Sequence, residues 1–303
     1  MKQVDIAMAT YNGERYIEEQ IRSIQQQTYT NWILYISDDG SSDRTVSLIR
    51  KMMENDTRIK LINTNRQGGV IQNFNEALSR TTANYILLCD QDDIWPKERL
   101  AVLVLKLESI EYKDPSQAIL IFTDLELIDD RGNRLENSFY ESNGLSPMEN
   151  MINHSLLWQS TVYGCTTIMN RNLLNISLPI PEYALMHDQW LALNAAQNDS
   201  LYYHDIKSIQ YRQHSGNVVG GTNHGFLGKF HNFKKNLKSI KKSVAKSKLI
   251  LKNHPNLYID RNSLNHSSLF RSFAIREILP KIFKGSKKIQ AFFVFIVVIF
   301  NLS

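Results

Sequence analysis

Three carboxylates fall within four positions at Asp90-Gln91-Asp92-Asp93, directly after the apolar run Tyr85 to Cys89. Like charges this close raise one another's pKa unless a cation or strong hydrogen-bond donors balance them. In an extended segment side chains alternate, so Asp90 and Asp92 face the same way and can offer oxygen to one hard divalent ion. An acidic turn after a strand is the plain alternative, because Asp is a common turn former. A second acidic cluster, Asp38-Asp39-Gly40-Ser41-Ser42-Asp43, follows the run Trp32 to Ile36. Gly40, Ser41 and Asp43 read as a turn and a helix start, with Ser42 or Asp43 capping a helix from Arg44. That leaves two adjacent carboxylates unexplained. A carboxylate at a strand end can accept a hydrogen bond from a base N–H, which suits the imide of uracil or thymine. Together the two clusters predict a nucleotide-plus-metal site.

The elements that must hold these clusters alternate. Strand-like patterns cover 4–9, 32–36, 59–62, 85–89 and 118–123, and helix-like patterns cover 15–26, 44–53, 70–79 and 97–109. Repeated βα units with short linkers predict a mostly parallel sheet covered by helices, with ligands at the carboxyl ends of its strands. Thr10-Tyr11-Asn12-Gly13 and both acidic clusters fall at such ends. Residues 124–228 lose the alternation and carry aromatics, glycines and histidines, as a segment that builds the acceptor-side wall would. At 303 residues and 43% apolar content the chain has ample material for a core. Cys89 and Cys165 lie 76 positions apart with no C-x-x-C pair, which argues against a zinc site or disulfide framework and for a reducing cytosol. Met1 leads directly into strand patterning with no apolar signal segment, so a cytoplasmic location is expected.

Charge divides the chain. Residues 229–288 hold 16 Lys and Arg against Asp260 and Glu277, whereas residues 1–228 carry a net charge of −9. The break near Gly225 to Gly228 predicts a main domain over 1–228, with halves 1–123 and 124–228, and a basic extension over 229–303. In that extension Phe230, Phe233, Leu237, Ile240 and Val244 recur at helical spacing among lysines, the pattern of a basic amphipathic helix. The chain ends in ten consecutive apolar residues, 291–300. A spanning helix needs roughly 20, so this segment is expected to dip into a membrane surface or to pack on a partner. A nucleic-acid partner is expected to be absent, because the apolar end favours lipid over the alternative that charge alone allows.

Ala9-Thr10-Tyr11-Asn12-Gly13, the segment Ile24 to Thr28 with Trp32, Ser37-Asp38-Asp39-Gly40-Ser41-Ser42-Asp43 and Cys89-Asp90-Gln91-Asp92-Asp93 resemble, in order and spacing, the successive blocks of the family 2 glycosyltransferases. The resemblance covers roughly residues 3–220. It implies a GT-A fold, which is a Rossmann-like α/β architecture, together with a nucleotide-diphospho-sugar donor, Mg²⁺ or Mn²⁺, and inversion at the anomeric carbon. Carried over by position, Thr10, Tyr11 and Asp39 hold the nucleobase, Asp90 and Asp92 hold the ribose and the metal-bound diphosphate, and Asp93 shapes the site. Asn65-Arg66-Gln67-Gly68-Gly69 with Asn73 resembles the family's Asn/Gly segment along the nucleotide, where Arg66 can meet phosphate charge; a simple loop and helix start is the alternative.

In the second half His187-Asp188-Gln189-Trp190 occupies the place of the family's acidic pair, which makes Asp188 the expected base. His187 departs from that pattern and is expected to orient Asp188 or modulate its pKa. Trp190 is a candidate for stacking on a sugar, or a core residue. Tyr211-Arg212-Gln213-His214-Ser215-Gly216-Asn217 makes His214 the expected third metal ligand beside Asp90 and Asp92. Gly164-Cys165-Thr166-Thr167 resembles the acceptor-site glycine block. The whole is most similar to the rhamnosyltransferase branch, implying transfer of L-rhamnose from dTDP-L-rhamnose to a lipid-linked saccharide in cell-surface polysaccharide assembly, by an enzyme peripheral on the inner membrane face. UDP-glucose or UDP-galactose is the alternative donor, and a silent assembly subunit is the alternative role. A sugar-1-phosphate nucleotidyltransferase is disfavoured, since Tyr11-Asn12-Gly13-Glu14 is no Gly-rich nucleotide loop.

Overall fold

The computed structural model describes residues 1–151, 156–157, 160–214 and 233–254. The apolar segment 291–300, the charge break at 225–228, Phe230 and the 215–217 end of the histidine segment lie outside the described residues. Among those described, one eight-stranded sheet forms the centre: β1 (Val4–Thr10), β2 (Trp32–Asp38), β3 (Ile59–Asn63), β4 (Tyr85–Cys89), β5 (Leu120–Ile128), β6 (Arg134–Glu136), β7 (Ile168–Asn170) and β8 (Leu201–Arg212). Its order is β3-β2-β1-β4-β7-β5-β6, and β8 pairs with β5. The first four strands run parallel, which places the loops after β1, β2 and β4 on one edge. Thr10 lies opposite Asp38 and Met8 opposite Cys89 in the registers, so the two acidic clusters leave the sheet side by side.

Sequence period explains the layers. All five residues of β4 are buried, as a continuous apolar run covered on both faces must be. Helix α1 (Ile17–Gln25) buries Ile17, Ile21 and Ile24, and α3 (Val70–Ser79) buries Ile71, Phe74, Ala77 and Leu78, each a single stripe at three- and four-residue spacing. Helix α2 (Thr45–Met53) starts one residue after the expected Arg44, and Asp43 takes the capping duty by accepting the Thr45 N–H at 2.9 Å. Helix α4 (Arg99–Glu111) starts two residues later than its pattern suggested. Arg99 belongs to the interior, where its guanidinium donates to the Ser208 carbonyl at 2.7 Å and to the Cys165 carbonyl.

The second half adds antiparallel pairings, β4 with β7 and β5 with β6 and β7. It also supplies the short helix α5 (Phe139–Ser142), the 3₁₀ turn Gly164–Thr166, α6 (Arg171–Ser177) and α7 (His187–Gln197). Basic helix α8 (Phe233–Asn253) follows. Its described side chains dock on this half: Val244, Ile250 and Leu251 join the hydrophobic core, Ser247 donates to the Leu157 carbonyl at 2.6 Å, and Lys246 donates to the Ala184 carbonyl at 2.6 Å. The apolar stripe over 244–251 is therefore buried within the protein. Leu249, Lys242 and Lys252 remain exposed. No helix among the described residues is long and apolar enough to cross a membrane.

Candidate active site

The two loops beside β1 and β2 are knotted together, and the first aspartate of the pair does the knotting. Asp38 is fully buried and accepts from Thr10 Oγ1 at 2.8 Å, from the Ser41 N–H at 2.7 Å and from Ser41 Oγ at 2.6 Å. Asp39 instead lines the cleft. Its carboxylate accepts the N–H groups of Gln67, Gly68 at 2.9 Å and Gly69 at 3.0 Å. Gly68 and Gly69 sit at φ +97° and +131°, backbone that L side chains rarely adopt, and this conformation turns their N–H groups toward Asp39. Three donors occupy three of the roughly four acceptor directions of a carboxylate, which leaves one for a ligand. Tyr11 stands at the rim, 54% exposed. Gln91 clamps its backbone, accepting the Tyr11 N–H at 2.9 Å and donating to its carbonyl at 3.1 Å. Gly13 leaves the room that the Gln91 amide fills, since a Cβ there would overlap it. Arg66 is exposed on the same wall.

The acidic loop after β4 is stitched to the far end of β8 by a two-way backbone bridge, Ile94 N–H to the Gln210 carbonyl and Gln210 N–H to the Ile94 carbonyl, each 3.0 Å. That bridge delivers His214 to Asp92, with Nε2 2.7 Å from Oδ2. Arg212, only 1% exposed, locks the arrangement from behind. Its N–H donates to Asp93 Oδ1 at 3.1 Å, its Nε to the Asp92 carbonyl at 2.9 Å, and its terminal nitrogens to the Asp130 carbonyl at 3.2 Å and Glu19 at 2.6 Å. The Tyr16 ring packs against both the Arg212 guanidinium and the His214 ring, at 4.9 and 4.8 Å. Asp90 is half-buried in the cleft wall, and burial together with the charges of Asp92 and Asp188 pushes its carboxyl up to about 7. Asp93 turns inward. It is 1% exposed, Oδ2 has no partner, and burial with the Asp92 and Asp90 charges pushes the carboxyl well above the usual range.

Asp188 reaches the cleft from the opposite side, at the second residue of α7. Its Oδ2 accepts the Gly164 N–H at 3.0 Å and its Oδ1 accepts the Gln189 N–H at 2.7 Å. The second bond holds the carboxylate to the first turn of α7, and the first fixes it to the 3₁₀ turn on the cleft wall. His187 does not orient Asp188 through a hydrogen bond, contrary to expectation. Its ring stacks on Phe74 with centroids 4.0 Å apart, neither ring nitrogen has a partner, and burial lowers its pKa. The link between the two residues is Gly164: a Cβ there would lie 2.7 Å from His187 Nε2. Gly164→Ala is therefore expected to push the His187 ring and the Asp188 backbone donor apart. Overpacking of this kind costs about 1–3 kcal/mol, and a thermal melt compared with transfer rate checks it, with the rate falling further than stability accounts for.

Trp190 is a core residue and does not face the cleft. It is 4% exposed, its Nε1 donates to the Ser177 carbonyl at 2.8 Å, and its ring meets His254 edge-on at 4.9 Å. On a helix, residue 190 points away from the face that carries 188. Aromatic lining comes instead from Tyr163 and Tyr211, which the sequence reading passed over although they adjoin Gly164 and Arg212. Gln91, Arg212 and Met186 were likewise missed. The first two stood inside quoted motifs, and only their long-range partners reveal their work.

One cleft of about 430 Å³ is lined by Thr10, Tyr11, Asp39, Arg66, Asn73, Asp90, Asp92, Tyr163, Gly164, His187, Asp188 and Tyr211, with His214 behind it on Asp92. It is large enough for a small-molecule ligand. Asp90 and Asp92 line the cleft and His214 contacts Asp92, so these are the residues that would hold a divalent cation. Burial, with the Asp92 and Asp188 charges added to it, raises the Asp90 carboxyl, a build-up that a bound cation would balance, and the carboxylate oxygens suit Mg²⁺ or Mn²⁺.

The family model described as Glycosyl transferase family 2 matches residues 5–178. A dTDP-rhamnosyl transferase of Shigella flexneri, RfbG, is 27% identical over 240 residues, covering 74% of this chain and 76% of its own. The Escherichia coli UDP-Glc:alpha-D-GlcNAc-diphosphoundecaprenol beta-1,3-glucosyltransferase WfgD is 29% identical over 200 residues, covering 65% of this chain and 71% of its own. Among solved structures, Staphylococcus aureus TarS 1-349 in complex with UDP-GlcNAc aligns with a TM-score of 0.58 at 15% identity, over 100% of this chain and 92% of its own. The Pyrobaculum calidifontis mannosyltransferase PcManGT with GDP-Man and Mn²⁺ aligns with a TM-score of 0.56 at 16% identity, over 100% and 88%. At those identities the structural likeness speaks for the GT-A fold alone. The matched span, the parallel sheet and the acidic loops at its edge agree: this chain belongs to glycosyl transferase family 2.

Proposed function

We propose that the protein transfers a sugar with inversion from a nucleoside-diphosphate donor, in first place dTDP-L-rhamnose, to a hydroxyl of a lipid-linked saccharide during cell-surface polysaccharide assembly. The observation that carries the reaction is the opposition of two acidic groups across one cleft. The Asp90–Asp92 loop lies on the nucleotide side, and Asp188, held by two backbone N–H groups, lies on the other. Thr10, Tyr11 and the free acceptor direction of Asp39 take the nucleobase. Arg66 at the open rim meets diphosphate charge. Asp90 takes the ribose, and Asp92 with His214 and Asp90 holds the divalent ion, which when bound stabilises charge on the departing diphosphate. Asp188 removes the proton of the attacking hydroxyl. Asp93 supports the loop from beneath. The family match ends at residue 178, so the roles of Asp188 and His214 rest on this geometry.

The rhamnosyl donor is favoured by the relative aligned over the larger share of both chains, RfbG at 74% and 76%. WfgD, with 29% identity over a shorter span, supports UDP-glucose as the second reading and an undecaprenyl-linked acceptor in either case. Lysines of α8 and the segment beyond it supply an attraction to anionic lipid worth about 1 kcal/mol for each residue near the surface, consistent with a location on the inner membrane face. A screen of purified protein with dTDP-rhamnose, UDP-glucose, UDP-galactose and UDP-N-acetylhexosamines tests the reading. Turnover with dTDP-rhamnose alone is the expected result, turnover with UDP-glucose selects the second reading, and turnover with none of the donors defeats both.

A further inference from the structure

The inward side of the acidic loop holds a second cluster, which shares only Asp90 with the ion site proposed for transfer. Asp90, Asp93 and Cys165 each present one ligand atom, and these three atoms lie within 4.8 Å of one another. Cys165 and Asp93 are each 1% exposed, while Asp90 lines the cleft and gives the cluster its opening. The thiol sits on the short Gly164–Thr166 turn, fixed by the Thr166 N–H to the Tyr163 carbonyl at 2.9 Å, the Thr167 N–H to the Gly164 carbonyl at 3.0 Å, and Arg99 on its own carbonyl. Asp93 Oδ1 is occupied by the Arg212 N–H, and Oδ2, buried, has no partner. A buried carboxyl oxygen left unpaired calls for an explanation, and an ion is one of the few that satisfy it.

We propose that Asp90, Asp93 and Cys165 form a thiophilic cation site beneath the cleft, suited to Zn²⁺ or Cd²⁺ rather than Mg²⁺. The donor set decides the class. One thiolate with two carboxylates selects a borderline or soft ion, whereas the hard ions of transfer chemistry favour oxygen and nitrogen donors. Charge supports it as well. Three anionic ligands around a divalent ion leave one net negative charge, and the buried Arg99 guanidinium, close enough to act on both Asp93 and Cys165, balances it. Binding exchanges the ion for the protons that the thiol and the two carboxyls carry, which pass to solvent. Asp92 and His214 take no part. Because Asp90 is shared, occupation of this site opposes the Mg²⁺ or Mn²⁺ of the transfer reaction. That consequence rests on the function proposed above, and binding itself does not.

Titration of the full chain with Cd²⁺ in the absence of any substrate tests binding through the ultraviolet thiolate-to-cadmium charge-transfer band. One equivalent is expected to saturate the band. Cys165→Ser should remove it and Cys89→Ser should keep it, with circular dichroism confirming that both variants fold. Asp93→Asn, which retains an acceptor for the Arg212 N–H, should weaken Cd²⁺ binding at least tenfold. No band in the native protein, a band that survives in Cys165→Ser, or undiminished affinity in Asp93→Asn each overturns the site. In a transfer assay Zn²⁺ should raise the Mn²⁺ concentration needed for half-maximal rate. A normal Cd²⁺ band without that antagonism removes the shared role of Asp90, and a normal band in a protein that transfers no sugar leaves the site standing while the proposed function falls.

Discussion

Asp188→Asn is expected to lower sugar transfer by about 10³-fold, the middle of the range for a positioned general base, while donor binding changes by less than about threefold. The reason lies in where Asp188 stands. Its carboxylate lies across the cleft from the nucleotide loops, and both its oxygens are oriented by backbone N–H groups at 3.0 and 2.7 Å. Removing the charge removes the proton acceptor and leaves Thr10, Tyr11, Asp39 and Arg66 untouched. Calorimetric titration with donor and Mn²⁺, beside single-turnover rates, separates the two quantities. Equal losses in donor affinity and rate would place Asp188 on the donor side and end its role as base. The same variant carries a signature in pH. The Asp188 charge contributes to raising Asp90, whose carboxyl stands at about 7. A divalent ion needs the ionised carboxylate, so in the native protein ion binding weakens as pH falls through about 7. With Asp188 neutral, Asp90 loses one of the like charges that raise it, its pKa drops, and ion binding extends to lower pH. A Mn²⁺ affinity profile that is the same in both proteins would disprove the coupling.

Asp92→Asn is expected to weaken Mn²⁺ binding by more than about 100-fold, because loss of an outer-shell partner alone costs 10–100-fold and a direct ligand costs more. Turnover should fall with it, since the ion offsets leaving-group charge worth several kcal/mol. His214→Ala removes a neutral ligand and not a charged one, and should lose less ion affinity than Asp92→Asn. The 2.7 Å contact between His214 Nε2 and Asp92 Oδ2 makes the two effects non-additive, so the double variant should bind Mn²⁺ little worse than Asp92→Asn alone. Mn²⁺ binding followed by electron paramagnetic resonance measures affinity without requiring turnover. Full recovery of rate by ordinary Mg²⁺ in Asp92→Asn, or strict additivity of the two substitutions, would count against a shared ion site.

The nucleotide half was readable because its signals are local. β1, β2 and β4 are short apolar runs, α1 and α3 keep one buried stripe each, and the polar clusters at the strand ends mark the ligand edge. Element ends were less readable. Arg99 begins a helix and lies buried, which neither charge nor period announces, because its partners Ser208 and Cys165 are far along the chain. Asp38 and Asp39 are adjacent and chemically identical, yet one is a buried knot for Thr10 and Ser41 while the other faces the cleft. Trp190 and Asp188 are two residues apart, and helix geometry sends one to the core and the other to the site. His187 was expected to orient Asp188 or modulate its pKa; its ring stacks on Phe74, and Asp188 accepts the Gly164 N–H.

The basic tail shows the same division. Its period of apolar residues announced an amphipathic helix, and α8 is one. What meets the apolar stripe depended on the rest of the molecule, and over residues 244–251 the acceptor half meets it, through Leu157, Ala184 and the core.

The sequence by itself determined the family and the order of the βα units, and it marked the acidic clusters as the candidate site, since each follows from residue types a few positions apart. Only the tertiary structure decided which carboxylate faces the cleft, how Arg212 and the Ile94–Gln210 bridge bring His214 to Asp92, and how Cys165 comes to lie beside Asp90 and Asp93. The physical reason is the range of the interaction. Period, turn chemistry and capping act within a few residues, whereas charge balance and hydrogen-bond partners in a buried site depend on contacts between segments far apart along the chain.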